Sequence, residues 1–489
     1  GAALELALAA TGRVAEAGVL LSFPDITLGL VPAAGGTQRL PQLVGGAEAL
    51  RMLLTGASVT AVEALAAGLV DRVVEGDPMI EGHAYATGGP VPKRRGLRDG
   101  RGFLAAVARA RQDATNGSGE GSGDGAGEAA ARMVDCVEMA VMLPLEQGLA
   151  FERVCFGDLV AGEESLGLRH AAAVFGQVAF GHAGAAVPPV ARVGIWGGGA
   201  VAVDLVSGAL AAGLVVQLAA AERGAVVRAL ADVAERQEAA VQSGAISATR
   251  RDEDWARLLP QVGTEGLAGV DLAVLTEAGA VAGPAVDGPT VAIGIPAPQG
   301  AVWLGRFDGL AEVQASGAAA ADVALVCGFA RAMGWEPVVT GTGGAGPSGS
   351  VALRLAAALS DAVVWAEAQG LSRHAIARSL AAAGIATGGG RQTATPDAVA
   401  LRCLAALANA GARAIEAGDT PSAAHVDAVA IAAGLMARWT GGPMHQADRR
   451  GLLVLRRDLR LWQADDAGLW TASPLIDALV AEGRGFSSG

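Results

Sequence analysis

Apolar residues recur along this chain with a changing period, and the order of those periods predicts its architecture. Gly1, Ala2 and Ala3 open an apolar, helix-like run whose first charged residue is Glu5. Pro24-Asp25 then enters an apolar segment that ends in the turn Pro32-Ala33-Ala34-Gly35-Gly36-Thr37. Residues 47–55 read as a helix, Ser58-Val59-Thr60 as the cap of another beginning at Ala61, and residues 68–74 as a return to a short strand. Helical spacing resumes over 129–180. The period then shortens, with strands predicted at 193–196, 214–219 and 270–274. The tail is helical again and repeats itself: Val351-Ala352-Leu353-Arg354-Leu355 recurs as Val399-Ala400-Leu401-Arg402-Cys403. Each copy leads through an acidic-glycine turn into a second apolar helix, so the two copies are expected to pack face to face.

Between these blocks lie breaks. Residues 84–102 are rich in Gly and Pro around Lys93-Arg94-Arg95, which reads as a solvated linker, and 115–127 are low-complexity and expected to be a flexible loop. Residues 185–189 have the composition of a hinge. At 489 residues the chain is long enough for several domains. Its net charge of −13 argues against a nucleic-acid surface. The mean hydropathy of +0.40 reflects Ala and Gly more than membrane character. The most apolar stretch, 201–221, contains Asp204 and Gln217, so no membrane span is expected. Cys136, Cys155, Cys327 and Cys403 are scattered without metal spacing, which predicts no metal site and a reduced, cytoplasmic setting.

Two stretches carry chemistry. Glu5 and Asp25 stand on separate elements beside small residues that let backbone approach a ligand, as an acid/base pair requires. On spacing alone the plainer reading, a capped surface helix followed by a solvated acidic turn, is favoured. The second stretch is Gly197-x-Gly199-x-x-Ala202, placed after a strand and before a helix. That is the dinucleotide-binding fingerprint, in which glycines admit a pyrophosphate to a helix N-terminus.

The first stretch resembles the enoyl-CoA hydratase/isomerase (crotonase) family. Phe23-Pro24-Asp25-Ile26-Thr27-Leu28-Gly29-Leu30-Val31-Pro32 and Gly35-Gly36-Thr37-Gln38-Arg39-Leu40 match its motif almost word for word. The resemblance implies that Glu5 and Asp25 are the catalytic acids that hold the water added to an enoyl thioester. It also implies that the Ala2 N–H is an oxyanion donor. Asp25 is one methylene shorter than the family's glutamate, a misplacement worth roughly 10²-fold. The chain is expected to begin inside this domain, with the family's other oxyanion donor missing.

Farther along, Phe151-Glu152-Arg153 and Ser165-Leu166-Gly167-Leu168-Arg169-His170 resemble the linker helices of multifunctional β-oxidation enzymes. The segment after them resembles L-3-hydroxyacyl-CoA dehydrogenase. This implies NAD as cofactor, with Gly197, Gly199 and Ala202 under its pyrophosphate. The family's ribose-binding acid aligns with Ala220, leaving Glu222 as the nearest carboxylate, and the acid after the 270–274 strand is displaced by two, to Glu277. Gly305-Arg306-Phe307 stands where the family has His-Phe-Phe, Glu312 matches the glutamate that orients that histidine, and no histidine lies between His182 and His374. Leu353 replaces a substrate-contacting asparagine. His374 and His425, read as lying in turns between helices, are poorly placed to substitute.

The expected fold is therefore α/β and multidomain. A partial crotonase fold (1–83) leads to a linker and helical segment (84–185), a Rossmann-type doubly wound parallel sheet (186–340), and an all-α helical pair (341–390 and 391–489). The expected function is a β-oxidation enzyme acting on acyl-CoA thioesters, with an eroded dehydrogenase site. It would act as a monomer or with a thiolase. The alternative is a hydratase or Δ3,Δ2-enoyl-CoA isomerase carrying a non-catalytic dehydrogenase-like scaffold.

Overall fold

The computed structural model describes residues 1–88, 100–116, 127–180, 189–277, 288–298, 300–307, 309–315, 317–341, 346–385 and 397–487. The basic cluster 93–95, most of the 115–127 loop, the hinge up to residue 188 and the stretch 278–287 lie outside the described residues. Residues 115, 116 and 127 stand at the ends of helices. The chain forms two compact units, one built mainly from residues 1–172 and the other mainly from residues 173–489.

In the first unit, helix α1 (Ala2–Ala9) precedes two small strand pairs. β1 (Val14–Glu16) lies parallel to β4 (Arg72–Val74), and β2 (Leu20–Leu21) antiparallel to β3 (Val59–Thr60). Helices α2 (Gly36–Val44), α3 (Gly46–Thr55), α4 (Ala61–Ala67) and α5 (Pro78–Thr87) complete this part. The start of α4 is fixed locally. Thr60 and Glu63 bond each other's backbone N–H in a capping box, an arrangement worth about 1 kcal/mol.

Helices α6 (Gly100–Asn116), α7 (Gly127–Met142), α8 (Leu145–Ala161) and α9 (Glu163–Phe180) come next. Leu4, Phe23, Leu40 and Leu53 share one core with Phe103, Val134, Cys155 and Leu159, so α6–α8 pack as part of this unit. The four cysteines are free thiols, all buried. Burial pushes the thiols of Cys136 and Cys155 above the usual range.

The second unit is organised by one sheet of eight strands: β5 (Arg192–Trp196), β6 (Val215–Ala220), β7 (Leu258–Val262), β8 (Leu272–Leu275), β9 (Thr290–Ile293), β10 (Val302–Phe307), β11 (Leu310–Gln314) and β12 (Glu336–Thr340). Their order is β12-β11-β10-β9-β8-β5-β6-β7. From β7 to β10 every pairing is parallel, and the six strands run 3-2-1-4-5-6 in order of appearance, the doubly wound dinucleotide order. Beyond β10 one pairing departs from the parallel order. β11 folds back on β10 as an antiparallel hairpin, and β12 pairs with β11, because the connection 308–309 is too short for a crossover.

Helices α10 (Ala200–Ala211), α11 (Arg223–Gln242), α12 (Ala248–Ala256) and α13 (Ala320–Ala332) belong to the sheet region. The helical tail comprises α14 (Val351–Ala368), α15 (Arg373–Ala382), α16 (Ala398–Glu416), α17 (Ala423–Ala432), α18 (Pro443–Arg450), α19 (Leu452–Trp462), α20 (Ala467–Trp470) and α21 (Pro474–Glu482). The repeated segments are α14 and α16, and they share one core through Val351, Leu355, Ala400, Cys403 and Leu407. Among the described residues α16 alone is long and apolar enough to cross a membrane, yet most of it is buried inside this core.

Candidate functional site

The turn before α2 is where the first unit concentrates charge. Gly35 adopts φ +102°, a conformation that L side chains rarely adopt, and this directs successive N–H groups to opposite sides. Glu5 Oε1 accepts the N–H of Ala34 at 2.9 Å and of Gly36 at 2.8 Å. Glu152, arriving from α8, accepts the N–H of Gly35 at 2.6 Å and of Thr37 at 2.9 Å, together with the Thr37 hydroxyl. Two carboxylates from distant helices thus clamp four consecutive N–H groups at a helix N-terminus, where the dipole also favours negative charge. A Cβ at Gly36 would lie 3.0 Å from Glu5 Oε1, so the close approach needs a glycine.

Glu5 is 4% exposed and Glu152 fully buried, so the surface-helix reading of Glu5 does not hold. Burial pushes the Glu152 carboxyl up to about 7 against the pull of its donors, with the charge on Glu5 adding to the rise. The sequence named Glu152 only as part of a linker word. Its signal, one acid among the charged and apolar residues of a helical run, does not say what it meets.

Asp25 lies in the 3₁₀ turn Pro24–Leu28, and its Oδ2 is buried without a hydrogen-bond partner among the described residues. Ala2 is the first residue of α1, so its N–H is among those a helix leaves without an intrahelical acceptor. A cavity of about 350 Å³ opens in this unit, lined by Leu8, Leu43, Leu143 and Leu145 with Gln38 and Arg39.

In the second unit, β5 ends at Trp196 and leads into the glycine turn at the point where the strand order reverses. Gly197 has φ +135°, and a Cβ there would lie 2.1 Å from Thr276 Oγ1. Ala202 is fully buried on α10, where a small residue lets helix and sheet approach. The turn has the form that a pyrophosphate needs. Its donors, however, are engaged by this chain: Glu277 Oε1 accepts the N–H of Gly198 at 2.9 Å and of Gly199 at 3.1 Å. Glu222 stands two residues beyond β6 as the residue before α11, exposed and making no side-chain cap.

Glu312 is fully buried on β11. It accepts Ser350 Oγ at 2.6 Å, Thr340 Oγ1 at 3.1 Å, and the N–H groups of Val351 at 2.7 Å and Ala352 at 3.2 Å. None of these partners is a histidine, and the carboxylate caps the N-terminus of α14. In this structure the carboxylate anchors the start of α14 to β11. Directly across the hairpin from Glu312 is Gly305. Cross-strand partners share a face, so a histidine here would stand beside Glu312. The space is filled: a Cβ at Gly305 would lie 2.4 Å from the Trp303 ring and 2.7 Å from the Phe307 ring. His374 and His425 lie in the first turns of α15 and α17, not in the turns between helices that the sequence suggested.

Comparison with known proteins adds to this. Residues 1–87 match the family model described as enoyl-CoA hydratase/isomerase. The chain is 36% identical over 184 residues to the fatty acid oxidation complex subunit alpha of Shewanella loihica, covering 35% of this chain and 25% of that protein. The same subunit of a second Shewanella strain is 36% identical over 182 residues. The matched region thus spans about a quarter of the length of these relatives. The dehydrogenase part of a multifunctional enzyme from C. elegans is 12% identical with a TM-score of 0.40, covering 63% of this chain and 96% of that one. Residues 1–87 thus match the enoyl-CoA hydratase/isomerase family model, in a mixed α/β chain of which about a third is similar to the alpha subunit of the fatty acid oxidation complex.

Proposed function

We propose that the chain is a multifunctional enzyme of fatty-acid β-oxidation. Its first unit hydrates 2-enoyl-CoA to 3-hydroxyacyl-CoA, and its second is an NAD-type 3-hydroxyacyl-CoA dehydrogenase with impaired activity. The observation that carries the reading is the acid at Glu5, buried and fixed by the Ala34 and Gly36 N–H groups in a segment matching a hydratase family. Glu5 and Asp25 hold a water between them. One carboxylate takes a proton from that water as its oxygen bonds the β-carbon, and the other acid delivers a proton to the α-carbon. The Ala2 N–H receives the enolate charge that builds on the thioester oxygen. The leucine-lined cavity suits an acyl chain.

Gly197, Gly199 and Ala202 are the residues that would hold the NAD pyrophosphate. NAD, when bound, supplies the hydride acceptor. We place the protein in the cytoplasm, alone or with a thiolase.

The test is hydration of crotonyl-CoA by the full-length protein. Asp25→Glu is expected to raise the rate several-fold by restoring the missing methylene's reach. An unchanged or lower rate would show that the backbone has adapted to the shorter acid. Loss of Glu5 without effect on hydration would remove the assignment. A second reading, a hydratase or Δ3,Δ2-enoyl-CoA isomerase carrying a non-catalytic dehydrogenase-like scaffold, is favoured by the aromatic rings that fill the place beside Gly305. Isomerisation of 3-enoyl-CoA without NADH formation would establish it.

A further inference from the structure

We propose that Glu277 is a built-in competitor for the anion seat of the glycine turn, and so the residue that sets how tightly the second unit takes a dinucleotide. This rests on the cofactor reading above. The seat lies between β5 and β8, and Glu277 reaches it from two residues beyond β8. The segment is tied down immediately before that point: the Thr276 N–H and Oγ1 both donate to the Trp196 carbonyl, at 3.0 and 2.8 Å. Thr276 packs over Gly197 so closely that no side chain could stand there. The carboxylate is thereby delivered to Gly198 and Gly199, and one oxygen, Oε1, takes both N–H groups.

These N–H groups open α10, a helix of 12 residues. Its dipole holds one anion at its end, and a carboxylate and a diphosphate cannot both accept the same two N–H groups. A dinucleotide must therefore expel Glu277, and the acid's displacement to position 277 becomes a device in place of a lost contact. A carboxylate in this place is a charged acceptor, and a neutral amide in the same place holds the donors less firmly.

The measurement is calorimetric titration of NAD into the full-length protein and into Glu277→Gln and Glu277→Ala. Both variants are expected to bind NAD roughly tenfold more tightly than the parent, the scale of a helix-end charge. Gly199→Val in the Glu277→Gln background is expected to remove that binding. The backbone there has ordinary φ and a Cβ would meet nothing closer than Glu277 Oε1 at 3.5 Å, so the variant should fold. Equal affinity in the parent and both variants would overturn the competitor and leave the cofactor reading standing. Absence of NAD binding in all of them up to millimolar concentration would overturn both.

Discussion

NADH formation from 3-hydroxybutyryl-CoA by the purified protein should run roughly 10²–10⁴-fold below that of a dehydrogenase whose base is in place. Oxidation of a secondary alcohol needs a group within hydrogen-bond reach to take the hydroxyl proton as the hydride leaves. The resemblance assigns that task to a histidine beside Glu312, and the hairpin register puts Gly305 there. Gly305→His alone is not expected to help, because Trp303 and Phe307 occupy the space its side chain would need. Pairing it with Trp303→Gly and Phe307→Ala opens the place and should recover at least tenfold, provided circular dichroism shows the variant folded. Recovery will be partial, since all of Glu312's present partners belong to Thr340, Ser350 and the start of α14. Ordinary turnover by the unmodified protein would falsify the view that this position is the missing base.

The second large effect concerns Glu152. Its carboxyl is raised from 4.5 to about 7 in the folded protein, so the native state binds more protons than the unfolded chain between those values. Stability is then fullest below about 4.5 and falls as pH rises through about 7. The fall amounts to roughly 3 kcal/mol at most. Glu152→Gln should flatten this slope in urea unfolding of the full-length protein at pH 5 and pH 8, because an amide does not ionise there. Glu152→Ala should cost about 3–5 kcal/mol at pH 5, since it leaves the Gly35 and Thr37 donors buried and unpaired, and less at pH 8 by roughly the 3 kcal/mol that titration has already removed from the parent. A parent slope that survives in Glu152→Gln would assign the pH dependence to another group. The same clamp positions Glu5, so hydration and stability should fall together in Glu152→Ala.

Much of this was legible in the chain itself. The capping box at Thr60 and Glu63, the glycine turn between β5 and α10, and the helices α14 and α16 all depend on neighbours within a few residues. Period, caps and punctuation report such structure directly. The helices of 129–180 were legible as helices, though not that α7 and α8 would share a core with Leu4 and Leu40. Apolar spacing says that a face is buried and leaves open what buries it.

The sequence by itself determined the order of the domains, the strands on either side of the glycine turn, the presence of acids at 5, 25, 277 and 312, and the absence of a histidine after His182 before His374. Only the tertiary structure decided which groups these acids and Glu152 meet. Glu152 meets Gly35 across 117 positions and shares its turn with Glu5. Glu277 meets Gly198 across 79, because two strands distant in sequence are neighbours at the reversal of the sheet. Glu312, matched by resemblance to a catalytic role, caps α14. Glu152 and Glu312 are buried carboxylates that must find donors, whereas Glu277 is exposed and is drawn to the free N–H groups of a helix end. In each case the N–H groups that come within reach are fixed by packing between elements that no local pattern records.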